Sequence, residues 1–194
     1  MKEQELRRRM ILVGAVMLIA AFLQIFQPYF IYWKPEFFNQ PWRWWTAHWV
    51  HVGWIHYLLN MLAFIFLPFI FPHLQNRFLL IMMLCLPPLM SFSFYYFYPD
   101  IEVYAGLSGL MHGLYAAVAL FFLQFNQERK FALLVLGLVW AKIIWENTMG
   151  SLETAELIGS PVLVEAHFVG AIWGSLLAIL WLIFIQLQQH RAAK

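Results

Sequence analysis

The chain has 194 residues, of which 63% are hydrophobic and 11% charged, with a formal net charge of +2. A water-soluble domain of this length needs far more charge to cover its surface, so a soluble globular protein is excluded and the bilayer takes the surplus apolar surface. A single cysteine, Cys85, excludes an intrachain disulfide.

Six segments approach the length needed to cross a bilayer: 10–33, 54–71, 78–98, 108–125, 131–148 and 166–187. The first is too long for a cleavable signal peptide and has no A-x-A site after it. Tryptophan and tyrosine gather at segment ends, as interfacial belts require. The third carries Pro87-Pro88 and is expected to kink there. Basic residues choose a side. Lys2, Arg7, Arg8, Arg9, Arg77, Arg129, Lys130, Arg191 and Lys194 fall at the termini or in the second and fourth connections, whereas only Lys34 and Arg43 fall in the others. The connections on the opposite side carry Asp100, Glu102, Glu153, Glu156 and Glu165. The positive-inside rule therefore predicts cytoplasmic termini. The expected fold is all-α: a polytopic six-transmembrane-helix bundle, one membrane domain over residues 1–194.

Polar groups inside the spans need a reason, because hydrocarbon does not solvate them. In chain order, His56 and Asn60 lie four residues apart on one face of the second span. The fourth opens with Gly106-Leu107-Ser108-Gly109, followed by His112 and Gly113. The fifth carries Lys142 and Glu146 at i, i+4, a spacing that favours a neutralised structural pair. The sixth opens with Ala166-His167, followed by Gly170 and Gly174. Gly109, Gly113 and Ala117, like Gly170, Gly174 and Ala178, recur every four residues and give each helix a face for close approach. Packing those faces together is expected to bring the Ser108 hydroxyl to the His167 ring, a nucleophile and a base. The fourth span, at about 17 residues, reaches only ~25 Å, short of the ~30 Å hydrocarbon core, so Ser108 is expected below the outer surface with connection 99–107 dipping inward. His56 and Asn60 are expected to add donors for an oxyanion. Of the other histidines, His51 is expected to anchor the first outer connection by hydrogen bonding, His48 has no assignment, and His73 and His190 are expected to be interfacial.

These residues resemble the rhomboid proteases. Gly106-Leu107-Ser108-Gly109 looks like their G-x-S-G, His56-Tyr57-Leu58-Leu59-Asn60 like their H-x-x-x-N, and Ala166-His167-Phe168-Val169-Gly170 like their A-H-x-x-G. Trp42-Arg43 resembles the pair that starts their long first loop. The resemblance implies an intramembrane serine endopeptidase with a Ser108–His167 dyad and no third acidic member. His56, Asn60 and the Ser108 backbone N–H would stabilise the oxyanion. Within the family, Leu110-Met111-His112-Gly113 and the Lys142/Glu146 pair resemble the rhombosortase branch. That branch implies, as substrates, bacterial exported proteins with a C-terminal Gly-Gly-type transmembrane sorting tail. Many other rhomboids have tyrosine where His112 stands, so His112 is a possible modulator of His167. The implied location is the bacterial inner membrane, with the site open to the periplasm. The bilayer and membrane-anchored substrates are the expected partners; no cofactor, metal or nucleic acid is expected. The competing readings are a catalytically inactive rhomboid-like protein that binds membrane helices, a small transporter using Lys142 and Glu146, and a haem-binding membrane cytochrome.

Overall fold

The computed structural model describes residues 3–150 and 154–192. Lys2, Glu153 and Lys194, which enter the charge count above, lie outside the described residues. The described chain is almost wholly helical: α1 (Glu3–Ile25), α2 (Arg43–Thr46), α3 (Trp54–Ile70), α4 (Asn76–Phe97), α5 (Ser108–Phe122), α6 (Arg129–Met149), α7 (Thr154–Ile158) and α8 (Val164–Ala192). Two-residue strands β1 (Tyr32–Trp33) and β2 (Val103–Tyr104) pair antiparallel. By length and composition, α1, α4, α6 and residues Val164–Arg191 of α8 can cross a membrane, while α3 and α5 are apolar but shorter.

The helix bounds differ from the hydropathy segments for local reasons. The first helix is already formed at Glu3, the first described residue, rather than near residue 10, because the Glu, Leu and Arg residues there are strong helix formers. It stops at Ile25 because Pro28 follows and opens a 3-10 turn over Gln27–Tyr29. Arg9, counted above among the charges at the termini and inner connections, is buried against the end of α3. Its guanidinium donates to the carbonyls of Pro68 (2.6 Å), Pro72 (3.1 Å) and Leu74 (2.8 Å), at and just beyond a helix terminus whose last carbonyls have no intrahelical donor.

The connection from α1 to α3 is long but tied down. Arg43 is buried and donates to the carbonyls of Pro28 (3.1 Å) and Ile31 (2.7 Å). The Trp45 indole donates to the Leu84 carbonyl (2.9 Å). That carbonyl is the one Pro88, which has no N–H, leaves without its usual helical donor, so α4 continues through Pro87-Pro88 with outside help.

The shortest of the long helices sits at the centre. Eleven of the 15 residues of α5 are buried, so it is walled by protein rather than lipid. It packs above all on α8 through the two glycine faces. A methyl group at Gly109 would meet the Ala166 carbonyl oxygen at 2.7 Å, one at Gly113 would meet that of Gly170 at 2.7 Å, and methyls at Gly170 and Gly174 would overlap the Gly109 and Gly113 carbonyls outright. Only hydrogen fits at these four positions, and the backbones touch in consequence. Ala117 and Ala178 continue the faces and are fully buried. Connection 98–107 is held by the β1–β2 pair, by Lys34 N–H on the Glu102 carbonyl (2.9 Å) and by Gly106 N–H on the Ala47 carbonyl (3.1 Å). Ile101, Tyr104, Gly106 and Leu107 are buried there, so this connection is anchored in protein at four positions.

Candidate active site

Ser108 is the first residue of α5, and His167 lies in the first turn of α8. The glycine contact one residue after Ser108 and three after His167 leaves the two side chains facing each other. The Ser108 hydroxyl oxygen is 3.0 Å from His167 Nε2, and His167 is buried. The other ring nitrogen, Nδ1, lies 2.7 Å from Glu146 Oε2 on α6, and Lys142, one turn earlier on α6, donates to Oε1 of the same carboxylate. Sequence reasoning paired Lys142 with Glu146 but missed the Glu146–His167 bond. The i, i+4 spacing signals the first contact, and nothing local signals the second.

His112, one turn past Ser108, stacks on His167 with ring centroids 4.0 Å apart and planes 18° from parallel. Its Nδ1 lies 2.7 Å from the Ser108 carbonyl oxygen. A carbonyl only accepts, so Nδ1 carries the hydrogen and fixes the ring against its own helix. Gly106 brings the incoming strand against His56: a methyl there would meet His56 Cε1 at 3.1 Å. The Tyr104 hydroxyl donates to the Gly106 carbonyl (2.5 Å), and burial raises its phenol well above the ordinary value, so it stays a donor.

The structure brings His56, Asn60, Ser108, His112, Lys142 and His167 to one cavity of about 620 Å³. Glu146 is buried behind Lys142 and His167. The Asn60 amide N–H is directed to the His56 carbonyl of its own helix (3.1 Å). Of the outlying histidines, His48 rather than His51 carries the anchoring side-chain bond: His48 Nε2 is 3.0 Å from Ser91 Oγ on α4. His51 is anchored through its backbone, whose N–H and C=O both pair with the Gln24 amide (2.6 and 2.8 Å). His73 pairs with Glu128 (2.6 Å) between two connections, and His190 is exposed near the end of α8.

The only His, Cys, Asp or Glu cluster among the described residues with ligand atoms close enough for one ion is His112, Glu146 and His167, whose ligand atoms lie within 4.8 Å of one another. Their geometry does not suit coordination. Ring nitrogen lone pairs lie in the ring plane, and two nearly parallel rings 4.0 Å apart cannot both aim in-plane at one ion. His167 Nδ1 and Glu146 Oε2 are engaged with each other, and His112 Nδ1 with the Ser108 carbonyl. What the arrangement can do is move a proton: a hydroxyl, an imidazole and a carboxylate stand in a row at the wall of a cavity.

A family model described as Rhomboid domain matches residues 38–184. That span includes every residue of the cavity and cluster named above. No individual curated protein matches the chain.

Proposed function

Because the chain belongs to the rhomboid family, whose members are in general intramembrane serine proteases, we propose that it hydrolyses a peptide bond in or near the transmembrane segment of membrane-anchored proteins, using Ser108 and His167. The observation that carries this reading is the 3.0 Å approach of the Ser108 hydroxyl to His167 Nε2 across a glycine-only helix contact.

The chemistry follows from that pair. Ser108 Oγ attacks the substrate carbonyl carbon while its proton passes to His167 Nε2. The C–N bond breaks as Nε2 returns that proton to the leaving amine. Water then attacks the acyl-Ser108 ester, losing a proton to Nε2, and the carboxylic acid departs as Ser108 is reprotonated. The oxyanion is stabilised by the Ser108 backbone N–H at the start of α5, where helical N–H groups have no intrahelical partner. His56 and Asn60 line the same cavity and supply the side-chain donors.

In the finer reading, six helices span the bacterial inner membrane as one domain over residues 1–194, with cytoplasmic termini and the cavity open to the periplasm. The nine-to-two basic bias supports the orientation. His112 stacked on His167 and the Lys142/Glu146 pair support the rhombosortase branch, and with it substrates bearing a C-terminal Gly-Gly-type sorting tail.

The test is labelling of detergent-purified protein with a fluorophosphonate probe, which reacts with an activated serine. The intact chain takes up label and Ser108→Ala does not. Equal uptake by both proteins refutes the assignment of Ser108. Co-expression with a Gly-Gly-tailed exported protein, scored for processing, then tests the substrate class.

A further inference from the structure

The resemblance to rhomboid proteases implies two catalytic side chains, yet the buried face of His167 away from Ser108 is not empty. Glu146 Oε2 lies 2.7 Å from His167 Nδ1, and both side chains are almost fully enclosed, 1% and 3% exposed. A carboxylate in hydrocarbon without partners is expensive. This one is matched on both oxygens, by Lys142 on its own helix and by the imidazole of another. Lys142, by contrast, keeps 38% of its side chain open, and it lines the cavity. The carboxylate therefore stands between the lysine and the imidazole, both of which reach the cavity.

That order decides which nitrogen of His167 carries hydrogen. A carboxylate paired with an ammonium is ionised and only accepts, so the Nδ1 facing it must donate. A neutral ring with hydrogen on Nδ1 has a bare Nε2, and bare Nε2 is what the Ser108 hydroxyl needs as proton acceptor. The same carboxylate stabilises the imidazolium formed when the proton arrives. The other ionisable groups around the ring are Lys142 on α6, Glu165 on α8 itself, His112 on α5 and His56 on α3. Nδ1 is engaged by Glu146 and by none of these four.

We infer that Glu146 is a positioning residue for the proposed reaction, holding His167 in the tautomer that accepts the Ser108 proton, and that Lys142 keeps the carboxylate an acceptor. The inference rests on reading Ser108 and His167 as nucleophile and base.

Lys142 makes the inference testable in an unusual way. In Glu146→Gln the ammonium, which can only donate, draws the amide oxygen to itself. The amide NH2 is left facing Nδ1, which must then accept, so hydrogen moves to Nε2 and the base is blocked. Removing the ammonium as well frees the amide to turn its oxygen to Nδ1. A second substitution should therefore rescue the first. Rates of fluorophosphonate labelling and thermal transitions in detergent are measured for the intact chain, Glu146→Gln, Lys142→Met and the double variant.

Glu146→Gln is expected to label roughly 10²-fold more slowly or worse, in line with the loss of a correctly protonated base, and the double variant to recover about tenfold or more of that loss. A folded Glu146→Gln that labels within about twofold of the intact chain overturns the inference. So does a folded double variant no faster than Glu146→Gln, since a merely structural carboxylate gives no rescue. If Glu146→Gln does not fold, Glu146→Asp replaces it: the charge stays but the reach shortens by one methylene. Labelling slowed about tenfold at an unchanged thermal transition supports the inference, and labelling at the intact rate overturns it. An intact chain that takes up no label refutes instead the reading of Ser108 on which the inference rests.

Discussion

His48 lies in the connection between α1 and α3, its ring fully buried between Phe94 and Tyr104. Burial pushes its pKa down from 6.5 to about 3, against a smaller opposing effect of the Pro87 carbonyl. The sign follows from linkage. Below pH 6.5 the opened chain gains a proton on His48 that the closed one refuses, so stability falls as pH drops from about 6.5 towards 3. His51, likewise held at about 3, adds to the slope. The thermal transition is expected to fall over pH 6.5 to 4, and His48→Gln, which cannot titrate, to flatten that fall. An unchanged slope in the variant removes His48 from the account.

Individual residues also show how far sequence reading reaches. Ser108, His56, Asn60 and His167 are legible because each is a polar group interrupting an apolar run, where a reason is required. All four line one cavity. Their partners are less legible. The Glu146–His167 bond joins residues on α6 and α8, 21 positions apart with α7 between them, and only tertiary packing decides whether two helix faces meet. Arg9 reads as one more basic residue near a terminus until its three carbonyl partners near the end of α3 are seen. His51 reads as a hydrogen-bonding anchor of its connection, and it bonds through its backbone, while His48, without an assignment in the sequence, carries a side-chain bond.

Among the elements, α5 and α8 carry the site. Four glycines at four-residue spacing predicted their close approach, and the built-in test is that a methyl group at any of them strikes backbone. Gly170→Ala should lower the thermal transition, with a cost on the order of 1–3 kcal/mol, because neither backbone can yield without moving a helix. Gly137→Ala on α6, where nothing lies within 4 Å, should be within about 0.5 kcal/mol of the intact chain or slightly more stable. Equal effects at the two positions contradict the contact. The shortness of α5 was legible from its apolar length, and its N-terminus at Ser108 matches. That α4 runs through two prolines was legible from the length of the apolar segment; the Trp45 bond to the Leu84 carbonyl was not, because Trp45 is far away in sequence.

At the scale of the whole molecule, large apolar side chains such as Leu18, Phe22, Leu138, Leu180 and Phe184 are exposed around the outside of the bundle, as a multi-pass membrane protein requires. The buried charges are confined to a few matched groups, and the Lys142–Glu146 pair has a bearing on biogenesis. The ribosome delivers α6 before α8, so Glu146 meets the bilayer when His167 does not yet exist beside it. A lone charge costs about 2.5–3.5 kcal/mol at a span centre and less towards the end, where Glu146 stands. One turn apart on the same helix, the two can enter as a neutral dipole, and the lysine escorts the carboxylate until the histidine arrives. In a translocon insertion assay on segment 129–149, the segment with both charges should insert more readily than its two single-charge variants predict by addition. Strict additivity means that the two charges enter independently, and that the helix waits for its neighbours before it is at ease in lipid.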